Sequence, residues 1–457
     1  MAHPDALNAR AAPAQAEARA GQAASIFDNQ NPPAQKLIDE CVHCGFCLPS
    51  CPTYALWREE MDSPRGRIYL MKLAAEGKVQ MSETFVAHFD HCLGCMACMT
   101  ACPSGVQYDK LIEATRAQIE RHFPRSGAAR LQRKIVFALF PYPARLRLLL
   151  APVWLYQRLG LQWLARRTGL VKLLPASLGS MEALLPDVFS AMLTARMPTR
   201  VAAQGRPRRR VALLEGCVQR VVYPEVNAAT ARVLAAEGCE IVIPPKQECC
   251  GALMLHSGYD EQALEHARKL IEAFEKLDID TIAVNAAGCG SAMKDYGYLL
   301  RNDPAYAERA KAFSAKCKDI AEVLAELEPR AKRHPLKLRV AYHDACHLLH
   351  AQRVQAQPRQ ALKTIPELEV LEIPEAGACC GSAGIYNVVE PETAQELGNR
   401  KALNCRTTGA DLIATANPGC VLQISAALKR TGQNLPVRHM VELLDASIRG
   451  NPPASLL

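Results

Sequence analysis

The chain has 457 residues, of which 49% are hydrophobic and 22% charged, and its formal net charge at pH 7 is +8. This composition excludes a disordered chain and is typical of a folded protein with two or three domains. Nineteen cysteines without a secretory signal favour a reducing, cytoplasmic compartment, where thiols bind metals and do not form disulfides. Residues 1–24 lack the apolar core of a signal peptide, and we expect them to form a disordered or frayed tail.

Two cysteine runs characterise the first quarter of the chain. Residues 41–52 and 92–103 both have the spacing C-x2-C-x2-C-x3-C-P. This spacing predicts a loop whose first three thiolates bind one 4Fe-4S cluster and whose fourth reaches a neighbouring cluster. The predicted ligand sets are therefore crossed: Cys41, Cys44, Cys47 and Cys102 for one cluster, and Cys92, Cys95, Cys98 and Cys51 for the other.

Two zinc knuckles and a disulfide framework are the alternatives for these runs. Four thiolates suffice for zinc, so the third cysteine step and the Cys-Pro ending would have no role in a knuckle. Cysteines on one short loop are also poorly placed to pair with each other. We therefore predict a bicluster domain over residues 25–121 that carries electrons one at a time.

A turn at residues 64–66, followed by a helix, is predicted between the two runs. Arg65 and Arg67 lie there. They either offset the negative charge of clusters and thiolates or are merely solvated at the start of the helix.

Residues 122–209 are predicted to form a basic and apolar helical connector. No acidic residue occurs in 121–181, and the longest run free of charge, 148–157, is far shorter than the ~18–20 residues of a spanning helix. We expect this segment to dock on an anionic membrane surface or on a partner subunit. The alternative is an ordinary helical hairpin that covers the bicluster domain. Prolines are expected to break the helices at Pro141, Pro143, Pro152 and Pro175.

From residue 210 onward the chain repeats itself. In each half one strand leads to a cysteine, a second strand leads to Cys-Cys-Gly, and a third leads to Gly-Cys. The arginines at 206–210 are interpreted as a solvated edge of this region. This order predicts two duplicated α/β lobes, 210–335 and 336–457. The predicted strands are 211–214, 240–243, 281–284, 338–342, 369–373 and 412–415.

The repeated cysteines are expected to meet in one cleft between the lobes, because sites in parallel sheets lie beyond the carboxyl ends of the strands. The glycine after each cysteine pair permits a tight turn there. We therefore predict a further iron–sulfur or other redox centre in the lobes. Cys239, Cys317 and Cys405 lie outside the repeat and are expected to be small core or surface residues. The candidate residues are Cys217, Cys249, Cys250 and Cys289 in the first lobe, and Cys346, Cys379, Cys380 and Cys420 in the second.

Taken together, the paired cysteine runs, residues 62–69 between them and the doubled Cys-Cys-Gly halves resemble the iron–sulfur subunit of bacterial glycolate oxidase. The resemblance covers all but residues 1–24. It implies an electron-transfer subunit of a complex that oxidises glycolate, and often D-lactate, with FAD only in partner subunits. Electrons would pass to a membrane quinone, so the chain would be peripheral on the inner face of the cytoplasmic membrane. No nucleic-acid partner is expected.

The same architecture is shared with iron–sulfur subunits of anaerobic glycerol-3-phosphate dehydrogenase, of lactate-oxidising complexes and, for the Cys-Cys-Gly halves, of heterodisulfide reductase. In heterodisulfide reductase each half ends in Cys-x-x-Cys, but Ala292 and Gln423 stand at those positions here. A five-cysteine cluster is therefore not expected, whereas a four-cysteine site remains open.

Two other functional classes remain as alternatives. One is a thiol/disulfide redox enzyme that uses His343 and His347. The other is a zinc-dependent nucleic-acid binder. We favour a non-catalytic electron-transfer subunit, because hydride removal needs a flavin or nicotinamide and the chain has no dinucleotide-binding glycine motif. The predicted fold is a mixed α+β and α/β multidomain chain, with a helical ferredoxin-type module before the two lobes.

Overall fold

The computed structural model describes residues 25–174 and 176–457, and for residues 172, 176–178 and 180 it describes the backbone alone. The tail predicted over residues 1–24 and the helix break predicted at Pro175 lie outside the described residues.

The first module is built of short helices around the two cysteine loops, and residues 25–122 contain no strand. Met71, Phe89 and Leu111 are fully buried where the longer helices meet. These contacts fix the positions of the loops that carry the cysteines. The elements are the α-helices Gln35–Asp39, Pro52–Trp57, Pro64–Ala75, Glu83–Asp90, Ala97–Ala101 and Tyr108–His122, with the 3-10 helix Glu60–Asp62.

The turn predicted at residues 64–66 is the first turn of the helix Pro64–Ala75. Ser63 caps this helix, because its hydroxyl oxygen accepts the backbone N–H of Gly66 at 3.0 Å. Pro64 occupies the first helical position, where a missing N–H costs nothing. The prediction of a separate turn was wrong because proline and glycine both belong to a helix start here.

The connector is helical and lies against the first lobe. Leu146 and Leu150 are buried on Val221 and Val222. The helices are Gly127–Leu139, Pro143–Arg158, Leu161–Arg167, Ala176–Ala183 and Ser190–Thr194, with the 3-10 helix Leu170–Leu173.

A helix break occurs at Pro143 but not at Pro152. Pro143 starts a helix, but Pro152 lies inside the same helix, so the break predicted there was wrong. Pro152 cannot donate to the carbonyl of Leu148. That carbonyl lies on the outer side of the helix, where the Leu148 side chain is 76% exposed and water can satisfy it.

No single helix in the described ranges is long and apolar enough to cross a bilayer. The helices Gly127–Leu139 and Pro143–Arg158 together meet that criterion by length and composition, but they are bent by 104° relative to each other.

Each lobe contains a parallel sheet with the same strand order. The first has β1-β3-β2-β4-β5 and the second β7-β6-β8-β9, so β3-β2-β4-β5 corresponds to the whole second sheet. Only the edge strand β1 is antiparallel, and it lies in a stretch that the sequence assigns to the connector. The strands are β1 Arg200–Val201, β2 Arg209–Leu213, β3 Cys239–Val242, β4 Thr281–Val284, β5 Cys317–Asp319, β6 Leu338–Tyr342, β7 Leu368–Glu372, β8 Leu412–Thr415 and β9 Val437–His439.

Helices cover both faces of the two sheets, and their order repeats with the strands. In the first lobe they are Gln219–Val222, Pro224–Ala236, Ala252–Leu255, Asp260–Phe274, Ala287–Lys294, Tyr296–Leu299, Ala307–Lys316 and Ile320–Ala325. In the second lobe they are Ala356–Lys363, Tyr386–Val389, Pro391–Thr407, Pro418–Arg430 and Met440–Arg449, with the π-helix His347–Ala351 and the 3-10 helix Pro453–Ser455.

The lobes pack on each other with approximate twofold symmetry. The helix Pro224–Ala236, which follows β2, packs on Met440–Arg449, which follows β9. Reciprocally, Ala356–Lys363, which follows β6, packs on Ile320–Ala325, which follows β5. One continuous apolar core therefore runs from Val211 in one sheet to Val340 in the other.

Candidate metal centres

The first predicted ligand set lies at the surface of the bicluster module. Cys41, Cys44, Cys47 and Cys102 line one cavity, together with Cys98. Cys44 is exposed and the other three are half-buried. Burial raises the pKa of Cys41, and the neighbouring charges of Cys102 and Cys44 raise it further. The fold thus brings the fourth cysteine of the second run to the first three cysteines of the first run.

The second predicted ligand set is buried. Cys51, Cys92, Cys95 and Cys98 all lie inside the module. Burial raises the pKa of Cys98 well above its usual value, and repulsion by Cys95, Cys92 and Cys51 adds to this. The other three thiols of the set are therefore close neighbours of Cys98.

Two arginines supply positive charge to the second set. Arg67 is 1% exposed and donates to Thr53 Oγ1 at 3.2 Å and to Asp62 Oδ1 at 3.1 Å. Burial alone would raise the pKa of Cys92, yet Arg67 and Arg116 bring it below the usual value. Of the two interpretations of Arg67, charge compensation is therefore the one that fits. Arg65 lines the cavity of the first set, where its charge opposes the rise in the pKa of Cys41, and it also forms a partly buried ion pair with Glu60 at 2.6 Å.

All eight cysteines of the duplicated lobes line one cavity between the lobes. Within it the Sγ atoms of Cys217 and Cys249 are 3.3 Å apart. Cys239, Cys317 and Cys405, which the repeat leaves out, are buried elsewhere in the lobes.

Equivalent turns present the two cysteine pairs. Gly251 and Gly381 have φ of +77° and +86°, in the left-handed region. A Cβ on Gly251 would lie 2.8 Å from the backbone oxygen of Ala263, and a Cβ on Gly381 would lie 2.5 Å from the backbone oxygen of Ala394. In both turns the glycine N–H donates to the first thiol of the pair, at 3.4 Å. Only glycine therefore allows this turn and this close helix approach together.

The second lobe places polar groups beside its thiols. His343 and the thiols of Cys380 and Cys420 have ligand atoms within 4.8 Å of one another. His343 is 1% exposed, and neither ring nitrogen has a hydrogen-bond partner among the described residues. Asn417 Nδ2 donates to the Cys420 sulfur at 3.5 Å. His347, the other histidine considered from the sequence, instead donates to the Gly94 carbonyl at 2.9 Å.

The buried cysteine set of the bicluster module packs directly on the second lobe. Cys95 shares an apolar cluster with Cys379, and Cys346 packs against the same cluster. Burial raises the pKa of Cys95 well above its usual value, and Cys346 is the next largest cause. The two groups of thiols are therefore within electrostatic reach of each other.

The bicluster module also makes polar contacts with the first lobe, which the sequence did not indicate. Glu113 Oε1 and His256 Nδ1 are 3.0 Å apart, and Arg116 donates to the His256 carbonyl at 2.7 Å. Burial raises the pKa of Glu113 to about 7 and lowers that of His256 to about 4. No spacing rule joins positions so far apart in the chain, so only the fold could reveal this pair.

The donor chemistry of all these sites fits iron–sulfur clusters. Each bicluster set consists of four thiols, and thiolate sulfur is the ligand that such clusters use. The sets lie on loops fixed by packed helices, with backbone N–H groups near sulfur, as between Gly94 and Cys92 at 3.4 Å.

Three family models match this chain. A model described as 4Fe-4S dicluster domain matches residues 37–106, and one described as Cysteine-rich domain matches residues 211–294 and 340–425. The model described as Glycolate oxidase iron-sulfur subunit, linker region, matches residues 128–185.

Curated relatives agree with these matches over nearly the full length. The probable glycolate oxidase iron–sulfur subunit of Bacillus subtilis is 43% identical over 410 residues, which cover 88% of this chain and 92% of the relative. The glycolate oxidase iron–sulfur subunit of Escherichia coli is 35% identical over 424 residues, 91% of this chain and 95% of the relative. The chain belongs to the glycolate oxidase iron–sulfur subunit family.

Membership of this family makes the chain an iron–sulfur protein with an electron-transfer role in an oxidoreductase complex of several subunits. A more distant relative, lactate utilization protein A of an Exiguobacterium species, is 28% identical over 240 residues, 52% of this chain and 98% of that protein. Sequence similarity therefore extends to proteins that are not named for glycolate.

Proposed function

We propose that this chain is the electron-transfer subunit of a glycolate oxidase that converts glycolate to glyoxylate. It takes electrons from FAD in partner subunits and passes them to a membrane quinone. The observation that carries this proposal is the continuous order of three thiol groups. The first includes the exposed Cys44, the second is buried around Cys98, and the third begins at Cys346 and Cys379.

Iron–sulfur clusters, when bound, take up and release electrons one at a time. The residues of this chain determine the order of the centres and their surroundings. The surface set is flanked by Val42 and Phe46, each 68% exposed, which suits the docking face of a flavin subunit. The buried set is shielded from water and lies against the second lobe, which supports a route from the partner face into the cleft.

The site residues follow from the same geometry. Two 4Fe-4S clusters would be held by Cys41, Cys44, Cys47 and Cys102, and by Cys51, Cys92, Cys95 and Cys98. The lobes would hold at least one further iron–sulfur centre on their eight cleft cysteines. The number of iron atoms per chain, measured on anaerobically purified protein, should then exceed the total of about eight in two 4Fe-4S clusters. A count of about eight, unchanged by Cys250→Ala and Cys380→Ala, would contradict a centre in the lobes.

The test of the electron-transfer role is Cys47→Ser in the assembled complex. We expect glycolate to reduce the flavin as before, whereas electron delivery to quinone stops. Stopped-flow absorbance of the flavin and steady-state quinone reduction measure the two steps separately. A variant complex that reduced quinone at the normal rate would contradict the proposal. Parallel assays with D-lactate and glycerol-3-phosphate identify the substrate class of the complex.

The position of His343 beside Cys380 and Cys420 supports a second candidate, a thiol/disulfide redox enzyme. This candidate predicts that the purified chain, supplied with a chemical reductant, reduces a small disulfide without any partner subunit. It also predicts that His343→Leu abolishes this turnover.

The connector is proposed to hold the complex at the inner face of the cytoplasmic membrane. Twelve of the nineteen exposed large apolar side chains in the described part of the chain lie between residues 131 and 174. The same stretch contains basic but no acidic residues. Flotation with vesicles should therefore increase with anionic lipid and decrease with salt. Vesicle binding that depends on neither anionic lipid nor salt would contradict membrane docking and would leave the connector a role in docking on a partner protein.

A further inference from the structure

A cavity of about 300 Å³ lies between the connector and the two lobes. One side of it carries the eight cleft cysteines, which the proposed iron–sulfur centre would occupy. The connector side carries no thiol, imidazole or carboxylate among its described residues, so it offers no such metal ligand. Its wall is apolar and includes Leu146, Leu149, Leu150, Met181, Leu184 and Leu185.

This apolar wall is continuous with the exposed apolar surface of the connector. Leu149 lines the cavity and is also 40% exposed. Leu148, next to it, is 76% exposed, and Leu155 on the same helix is 50% exposed. A lipid-soluble molecule at that surface would therefore meet apolar side chains from the outside to the inner end of the cavity.

Two of the residues that line the cavity, His256 and Gln219, carry buried side-chain atoms without a hydrogen-bond partner among the described residues. Nε2 of His256 is buried without a hydrogen-bond partner, and His256 belongs to the cavity lining. Its Nδ1 is held by Glu113 at 3.0 Å, and its ring meets that of His347 edge to face, with 4.7 Å between the ring centroids. Both contacts fix the direction of Nε2. A buried polar atom without a partner costs about 1–3 kcal/mol, so a ligand oxygen here would remove a penalty.

We propose that this cavity binds the ring of a lipid-soluble quinone, with a ring oxygen at Nε2 of His256 and the apolar tail along Leu149. The inference rests on the proposed function, since it assigns the acceptor of that electron transfer to a site. Reduction of the bound quinone to quinol consumes two electrons and two protons. Oxidation of glycolate to glyoxylate releases the same number of each, so the overall reaction balances.

The test uses the assembled complex, with decylubiquinone as acceptor and a soluble dye as the reference acceptor. Leu149→Trp should fill the cavity and raise the KM for decylubiquinone about tenfold relative to dye reduction. Leu148→Trp is the matched control, because this neighbour lies on the outer side of the same helix. His256→Phe should lower quinone reduction relative to dye reduction, and His256→Gln, which can still hydrogen-bond, should restore part of it.

A photoreactive azidoquinone gives a readout that does not depend on turnover. We expect label in the helix Pro143–Arg158 or in residues 252–256. Label confined to another subunit, or equal KM values in Leu149→Trp and Leu148→Trp complexes, would overturn the site while leaving quinone reduction intact. A wild-type complex that reduces the dye but no quinone would instead overturn the acceptor in the proposed function.

Discussion

The two Cys-Cys-Gly lobes have the same strand order and the same glycine turn, but their cysteines lie in different surroundings. His343 in the second lobe corresponds to Leu214 in the first, each three residues before a cleft cysteine. Asn417 likewise corresponds to Ala286. The first lobe therefore surrounds its thiols with apolar side chains, whereas the second adds hydrogen-bonding groups.

This difference shows that the same backbone turn can hold thiols in two different electrostatic surroundings. The turn that presents each cysteine pair tolerates no side chain at its glycine position, so both lobes keep a glycine there. Hydrogen bonds toward sulfur stabilise the more negative, reduced state of an iron–sulfur centre. The second lobe, which also contacts the bicluster module, is therefore expected to have the higher reduction potential.

The largest effect should come from removing what the lobes share. Gly381→Ala places a Cβ 2.5 Å from the Ala394 oxygen at a φ of +86°. Backbone strain and the clash together should cost about 4 kcal/mol of unfolding free energy, measured by urea denaturation. Gly432→Ala is the control, because φ is +72° there but nothing lies within 4 Å. Equal losses in both variants would mean that helix contact does not require the glycine.

The pH dependence of stability should differ between the lobes, because equivalent capping boxes use different residues. Asp319 caps Ile320–Ala325, and His439 caps Met440–Arg449. Burial raises the pKa of Asp319 from 3.8 to about 7, so its contribution to stability is lost as pH rises through that range. Burial lowers the pKa of His439 from 6.5 to about 4, so its contribution is lost as pH falls through that range.

Urea denaturation of the two variants Asp319→Asn and His439→Asn from pH 4 to pH 8 separates these contributions. Each substitution should reduce the pH dependence of the unfolding free energy on one side of the profile only, by about 2–3 kcal/mol. Asp319→Asn should flatten the alkaline side and His439→Asn the acidic side. If both flattened the same side, burial would not be the cause of either shift.

The smallest effect concerns His343, one of the two polar groups that only the second lobe has beside its thiols. His343→Leu copies the first lobe and should lower the midpoint potential of one centre by about 60 mV, equivalent to a tenfold change for one electron. Redox titration followed by electron paramagnetic resonance measures it. Leu214→Ala, at the corresponding position, is the control and should leave that potential unchanged. An unchanged potential in His343→Leu would show that the histidine does not act on sulfur.

Features that depend on spacing along the chain could be predicted, and features that depend on distant contacts could not. The crossing of Cys51 and Cys102 between the two bicluster sets follows from the motif, and the structure places both beside the partners expected. The duplicated strands were also visible as repeats. The mixed helical and parallel-sheet fold class agrees with the prediction.

Short strands and distant pairs were missed for a physical reason. The strands β1, β5 and β9 have two or three residues each, too few for a periodic pattern. Arg67 became interpretable only once its burial beside Asp62 and Cys92 was known. Glu113 and His256 are likewise joined only by packing of the module on the lobe.

The reciprocal packing of helices between the lobes also bears on ancestry. Pro224–Ala236 meets Met440–Arg449 as Ala356–Lys363 meets Ile320–Ala325, which is the pattern of an isologous dimer interface. A single-lobe ancestor that paired in this way would have formed the cleft on its symmetry axis, from two identical rows of cysteines. Two identical chains would carry the same residue at both positions, whereas a single chain with two lobes can carry His343 in one and Leu214 in the other. Joining both lobes in one chain thus allows the asymmetry of the present site.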